Sequence, residues 1–358
     1  MAMIEVKHLR LITAIEKTGS LSKAAQSLFL TQSALSQQLR QLEESVGTPL
    51  FKRTHKQLHF TAAGKLFREK ASQILSDFSV LEEELDAIRQ TEAATYIHGY
   101  SIAEAQRLQD QASTVADFIH WDSDWPSGES VLEIGCGVGA QTSIIASRNP
   151  ETHFTSVDIS KASLEIAQQK IASLQLPNVN FQVADVEALP YSDASFDHVF
   201  VCFLLEHLSK PALALQELQR VLKPGGSITV VEGDHGSTFF YPDQAVARKA
   251  VAAQVKLQRK NGGNANIGRE LYPLLAKTGF QDIRVSPRQI YVDDHKPALQ
   301  EGFIRHTFTA MIEGIAEDAV AEKVISTQEM QEGIDALLQT AESGGTFSYT
   351  FFKAKAWK

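Results

Sequence analysis

From residue 130 onward, short apolar runs alternate with helix-patterned stretches. The first run, Val131-Leu-Glu-Ile-Gly-Cys-Gly-Val-Gly139, passes directly from strand into helix. Strands are expected at 130–135, 153–158, 179–184, 197–203 and 227–232, with helices near 139–148, 161–174 and 211–222 between them. Such strands, apolar on both sides and separated by helices, can be buried only in a parallel sheet covered on both faces. Helical patterns at 102–120, 243–261, 268–278 and 297–341, and strands near 282–292 and 346–356, complete this region. A hydrophobic content of 43% over 358 residues is enough for two cores.

The glycine run suggests what the sheet holds. Gly135 permits a tight turn, and Gly137 lets a ligand approach the backbone. The third glycine is Gly139, so the spacing is G-x-G-x-G and not the dinucleotide G-x-G-x-x-G. Asp158 ends the next strand, nineteen residues after Gly139, where an acid can accept both ribose hydroxyls. Asp185 closes the third strand at the same edge, placed to orient an adenine. Together they indicate a nucleoside-containing ligand at the carboxyl edge of the sheet.

The net charge of −9 hides a split. Residues 1–60 hold eight Lys or Arg against four Glu, and the first ninety residues sum to +2. A basic head on an acidic body points to a polyanionic partner for the head. The head reads as helices over 4–18, 21–28 and 32–46, then a two-stranded wing over 50–61. Helix, tight turn and helix with a polar start is the helix-turn-helix arrangement. Gln32, Ser33, Ser36 and Gln37 suit base edges, and Arg40, Lys52, Arg53 and Lys56 suit phosphates. Over 63–90, Phe67, Ala71, Ile74, Phe78, Leu81, Leu85 and Ile88 recur in alternating steps of four and three. This narrow seam with polar flanks favours a partner helix and a homodimer. No apolar run is long enough for a transmembrane helix, and the first residues lack a signal-peptide core. The only cysteines, Cys136 and Cys202, make no disulfide framework, so the expected location is the cytoplasm.

Two resemblances sharpen these expectations. Residues 3–90 carry HLR, GSLSKAA, LTQSALSQQLRQLEESVGTPLFKR and LHFTAAG, and resemble the LysR-type transcriptional regulators, in particular those of methionine biosynthesis. This implies a winged helix-turn-helix over 1–62 and a dimerisation helix over 63–94, pairing antiparallel with a second subunit. Downstream the chain departs from the LysR-type pattern, which continues into a two-lobed effector-binding domain. Residues 95–358 instead carry E-I-G-C-G-V-G, D-I-S, A-D-V-E-A-L-P, S-F-D and L-K-P-G-G, and resemble the class I S-adenosylmethionine-dependent methyltransferases. The implied fold is α/β, Rossmann-like and seven-stranded with an antiparallel last strand.

The second resemblance implies roles by position. Glu133, Gly135, Cys136 and Gly137 would contact the methionine part of the cofactor, Asp158 and Ile159 the ribose, and Asp185 and Val186 the adenine. Cys202 or Phe203 would line the cofactor, and Tyr96 and Tyr100 would cover the cofactor or substrate. If the acceptor must lose a proton, base candidates are His207 after strand four and Asp234 and His235 after strand five, with His235 favoured and Glu206 weaker. Asp293-Asp294-His295 resembles a metal cluster, but adjacent residues on an extended chain face opposite ways, so no metal is expected. Regions 234–281 and 294–345 form the expected substrate lid, with Arg269, Tyr272, Arg305 and His306. The segment CFLLEH lacks the Pro-Pro-Tyr/Trp turn of amino-methylating DNA enzymes, and neither cysteine follows a proline. The segment YIHGYSIAEAQRLQDQA resembles the amino-terminal cap of small-molecule methyltransferases, which implies a small-molecule acceptor. The leading reading is a dimeric regulator that binds double-stranded DNA and whose body methylates a small molecule. The alternatives are a regulator whose body only senses S-adenosylmethionine or S-adenosylhomocysteine, and an enzyme whose head only dimerises.

Overall fold

The computed structural model describes residues 4, 6–18, 20–27, 32–54, 57–72, 74 and 102–358. The chain divides into two units, Met1–Glu92 and Ala93–Lys358.

In the first unit, α1 (Val6–Thr18), α2 (Leu21–Ser27) and α3 (Gln32–Val46) pack through Leu11, Ile12, Ala24, Leu35 and Leu42. Gly47, at φ 72°, ends α3 in the left-handed region that glycine tolerates. Glu43 then accepts the N–H groups of Leu50 and Phe51 at 2.7 and 3.1 Å, tying α3 to the next strand. That strand, β1 (Phe51–Thr54), pairs antiparallel with β2 (Gln57–Phe60), and the Phe51 and Phe60 rings lie 4.5 Å apart. A further helix, α4, runs over 62–72, with Thr61 Oγ1 accepting the Gly64 N–H at 3.0 Å. Gly64 is there for space: a Cβ would stand 2.0 Å from the Leu50 carbonyl oxygen.

One expectation is corrected here. The seam of 63–90 was expected to be covered only by a second chain. Its first positions are covered within the unit: Phe67 packs against the head core and Ala71 is buried. Ile74 is exposed. Phe78, Leu81, Leu85 and Ile88 lie outside the described residues, as do Tyr96 and Tyr100.

The second unit begins with α5 (Ile102–Ile119) and builds a seven-stranded sheet in the order β5-β4-β3-β6-β7-β9-β8. The strands are β3 (Ser130–Ile134), β4 (His153–Asp158), β5 (Val179–Val183), β6 (Phe196–Cys202), β7 (Leu222–Tyr241), β8 (Gln281–Val292) and β9 (Thr346–Trp357). β3 through β7 run parallel, whereas β9 is antiparallel to both β7 and β8. The crossovers are α6 (Ala140–Arg148), α7 (Lys161–Ser173) and α8 (Pro211–Val221). Later come α9 (Ala245–Lys260), α10 (Leu271–Lys277), a π-helix over Gln300–Thr309 and a helix over Thr327–Gln339.

Side chains alternate across the sheet, as the pleat requires. Val131, Phe200, Cys202 and Val231 enter one core, with α5, α6, α9 and the 300–341 region. Leu132, Ile134, Val199, Val201 and Val230 enter the other, with α8 and α10. β7 is much longer than the 227–232 expected from its apolar run. It starts at Leu222, which pairs with Phe196, and continues to Tyr241 because β9 supplies partners, with an irregularity between Asp234 and Phe239. Lys353 of β9 is buried and donates to Asp122, Ser123 Oγ and the Ile119 carbonyl at 2.7–2.9 Å, tying β9 to the end of α5. No helix among the described residues is long and apolar enough to cross a membrane.

Candidate functional site

The glycine turn is built from three left-handed positions, Gly135 (φ 70°), Gly137 (φ 52°) and Gly139 (φ 72°). The N–H groups of Gly135 and Cys136 both donate to the Val157 carbonyl, at 2.8 and 3.1 Å, clamping the turn to the end of β4. Asp158 completes the clamp: Oδ2 accepts the Gly137 N–H and Oδ1 the Ser160 N–H, each at 2.8 Å. A carboxylate offers about four acceptor directions, so capacity for a diol remains. A Cβ on Gly137 would meet nothing within 4 Å, so a ligand can approach the backbone there. Ile159 is exposed beside Asp158, an apolar shelf next to a hydrogen-bonding group. Beneath the turn, Glu133 is buried and accepts the Ser156 hydroxyl at 2.6 Å, and burial lifts its carboxyl to about 7. Asp185 is exposed and accepts the Glu187 N–H at 2.9 Å. Val186, expected beside an adenine, turns its side chain into the core. Cys136 and Cys202 are both buried, and burial pushes both thiols well up.

The ends of β6 and β7 carry the groups expected to handle protons. Asp234 and His235 were expected together, but they point to opposite faces of β7. Asp234 meets Arg269 in a two-pronged ion pair, with Nε to Oδ2 at 3.0 Å and Nη2 to Oδ1 at 2.6 Å. It is a partner of the 267–270 turn, not an open carboxylate. His235 faces the other core. Its Nδ1 is 2.6 Å from the Tyr349 hydroxyl, and its ring meets Phe308 edge-on at 6.1 Å. Burial first, and then the Arg107 charge, lower His235 to about 4, so the imidazole is neutral and a weaker base than an exposed histidine. His207 is lowered to about 3, by burial ahead of Arg107 and His235. Glu206 is buried and raised by burial to about 7. The expected lid residues Arg305 and His306 are engaged at the surface, Arg305 with Glu301 and Glu342 and His306 with Glu301, whereas Tyr272 is exposed. Among the described residues no group of three or more His, Cys, Asp or Glu could hold a metal ion.

In the head, Gln37 and Arg40 are exposed on α3 and Ser36 is half-buried. The side chains of Gln32, Ser33 and Arg53 lie outside the described residues.

Residues 6–65 match the lysR family of bacterial regulatory helix-turn-helix proteins, and residues 126–279 match the methyltransferase domain family. The chain joins a LysR-family helix-turn-helix to a methyltransferase domain. It is 34% identical over 190 residues to an uncharacterized 37.1 kDa protein in a transposon of Streptomyces fradiae, covering 52% of this chain and 54% of that one. It is 32% identical over 179 residues to the O-methyltransferase resE of Aspergillus sclerotiorum (48% and 64%), and 31% identical over 163 residues to a demethylmenaquinone methyltransferase of Tropheryma whipplei (41% and 66%). The matches thus span roughly half to two thirds of these relatives' lengths.

Several residues of the methyltransferase domain were missed in the sequence. Glu232 is buried at the end of the apolar run I-T-V-V-E, and its Oε1 accepts the N–H groups of Leu204 and Leu205 at 3.1 and 2.7 Å. Gln254 and Gln258 are buried on α9, four residues apart on the face that carries Ala247, Ala250 and Val251. Two amides within an apolar helical stripe were a readable signal. Tyr349 had none, since it sits in an aromatic strand like its neighbours.

Proposed function

We propose that this protein is a DNA-binding transcriptional regulator whose body is an S-adenosylmethionine-dependent methyltransferase acting on a small molecule. The observation that carries the enzyme half is the clamp between the glycine turn and Asp158, with an approachable backbone at Gly137 and an apolar shelf at Ile159. Asp158 and Ile159 hold the ribose; Glu133, Gly135, Cys136 and Gly137 face the methionine part; Asp185 and Val186 flank the adenine, Val186 through its backbone. Tyr100 and Cys202 complete the lining. When bound, S-adenosylmethionine supplies a methyl group already activated on a sulfonium, so the residues mainly align the acceptor and exclude water. His235, held by Tyr349, accepts the acceptor's proton where one must be lost, with His207 as the neighbouring base.

In the head, Gln32, Ser33, Ser36 and Gln37 read bases from the major groove, and Arg40 and Arg53 hold phosphates, Arg53 from the β1–β2 wing. Two subunits pair through the part of the 63–90 seam that the head does not cover itself, from the exposed Ile74 onward, so two half-sites are read together in the cytoplasm. A second reading, in which the body only senses S-adenosylmethionine or its demethylated product, draws support from Asp234 being tied to Arg269. Incubation with cofactor radiolabelled on its methyl group and a cell extract freed of macromolecules separates the two. Label transferred to a small molecule supports the enzyme. Cofactor binding without transfer, coupled to a change in duplex affinity, supports the sensor.

A further inference from the structure

The buried polar cluster beside the β6 and β7 ends has more hydrogen-bond acceptors than donors. Gln254 Nε2 donates to Gln258 Oε1 at 3.2 Å, and Gln258 Nε2 donates onward to the Glu206 carbonyl at 2.9 Å and to Glu206 Oε2 at 3.3 Å. This direction fixes the Gln254 amide, because a flip would set oxygen against oxygen. Gln254 Oε1 is left buried with no donor. Glu232 Oε2 is buried with no donor as well, and Glu206 acts on Glu232 electrostatically. Orphaned buried acceptors each carry a desolvation cost that a donor would remove.

The charges point the same way. Glu206 and Glu232 are two carboxyls, and Arg107 is the cation that acts on Glu206. Among the described residues, Lys353 acts on the neighbouring Cys202 but is matched by Asp122. His207, 3.7 Å from Glu206, and His235 are held neutral by burial, and the Cys202 thiol and Tyr349 phenol are likewise kept neutral. Asp234 is matched by Arg269. Burial, ahead of the Glu206 charge, raises the Glu232 carboxyl well above its ordinary value, so a bound cation carrying N–H donors is what would let both carboxyls ionise. Phe308 and Tyr349 stand beside His235, and aromatic faces also favour a cation.

We propose that the methyl acceptor is an amine, bound as its ammonium by Glu206, Glu232 and the Gln254 side-chain oxygen. This rests on the methyltransferase reading and narrows its substrate class. For an amine acceptor the base is Glu206 in place of His235, whose imidazole burial lowers to about 4: the bound ammonium passes one proton to the Glu206 carboxylate. The freed nitrogen lone pair attacks the methyl carbon of the sulfonium donor. The carbon–sulfur bond breaks with its electrons on sulfur, giving a neutral thioether and moving the positive charge to the methylated nitrogen. Burial brings Glu206 near neutrality, where a base both takes up and returns a proton.

The test uses the full chain saturated with S-adenosylhomocysteine, with the melting midpoint followed during titration with methylammonium chloride. Sodium chloride and tetramethylammonium chloride at equal ionic strength are the controls, the latter a cation without N–H. Methylammonium is expected to raise the midpoint saturably in the parent and to bind about tenfold or more weakly in Glu232→Gln, whose side-chain oxygen still serves Leu204 and Leu205. If that variant does not fold, Gln254→Met removes the other orphaned oxygen. Equal responses to all three salts, or undiminished binding in the variant, overturn the amine proposal. Weaker binding of S-adenosylmethionine but not of S-adenosylhomocysteine, with methylammonium binding unchanged, also overturns it, assigning the carboxylates to the sulfonium. No midpoint shift with S-adenosylhomocysteine itself would instead sink the methyltransferase reading, and this proposal with it.

Discussion

The Gly137 N–H donates to Asp158 Oδ2 at 2.8 Å, so the glycine turn after β3 and the acid ending β4 form one unit. Removing the acid therefore does two things: it withdraws a ribose acceptor and releases the turn.

Asp158→Ala is expected to weaken S-adenosylmethionine binding by roughly 1.5–3 kcal/mol, the range for a hydrogen bond to a charged group. Asp158→Asn retains one oxygen and should lie between the variant and the parent. Calorimetric titration checks both, and equal affinities in all three proteins would move the cofactor elsewhere.

For the head, Arg53→Ala should lower affinity for specific and random duplexes alike and flatten the dependence of log affinity on log salt by about one unit. Gln37→Ala, at an exposed position on α3, should relax sequence preference instead. Fluorescence anisotropy across a salt series separates the two. A parent protein without duplex binding at low salt would end the regulator reading.

Gly233 lies against the hydroxyl that holds His235: a Cβ there would stand 2.3 Å from Tyr349 Oη, and the next ring atom is at 3.4 Å. Gly233→Ala should cost roughly 1–3 kcal/mol through overpacking. In a Tyr349→Phe background the clashing atom is gone, and the same change should cost much less. A double-mutant cycle by urea denaturation reads the coupling. Additive costs would mean that the strand shifts to admit the methyl group.

Glu133 links stability to pH. Burial raises its carboxyl from 4.5 to about 7 in the folded state, so between these values the folded protein binds more protons than the unfolded one. Its contribution is fully present below 4.5 and is lost as pH rises through 7. His207 and His235, lowered by burial, act oppositely and withdraw stability as pH falls below 6.5. Comparison with Glu133→Gln isolates the first effect. Between pH 4.5 and 7.5 the parent should lose roughly 2–4 kcal/mol relative to the variant. Parallel stability profiles from denaturant melts would contradict this.

The inner parallel strands β3, β4 and β6 were legible because their residues are largely buried, so each reads as an apolar run. The edge strand β5, exposed or half-buried throughout, was marked instead by its place in the alternation and by the acid that follows it. β7 exceeded its apolar run because its outer residues pair with β9, which lies more than a hundred positions away. The π-helix over Gln300–Thr309 left no separate mark, since a helical stripe there looks the same whatever its hydrogen-bond spacing. Asp234 and His235 show a different failing. Adjacent residues on a strand face opposite ways, a rule applied to Asp293–His295 but equally valid here, and Arg269 and Tyr349 now mark the two sides. Phe67 was misread because a heptad spacing does not reveal whether the surface it meets belongs to the same chain or to a second one.

The placement of β9 between β7 and β8 sets an order for biosynthesis. Among the described residues β8 has β9 as its one neighbour in the sheet, so residues 281–292 emerge from the ribosome before the strand they need. Until residues 346–357 emerge, one edge of β7 and the whole of β8 stay unpaired, and Asp122 and Arg288 wait for Lys353 to join them at the end of α5. The head, complete some 250 residues earlier, faces no such delay. A series of stalled nascent chains should therefore show protease protection of the head long before the body becomes resistant in a single late step.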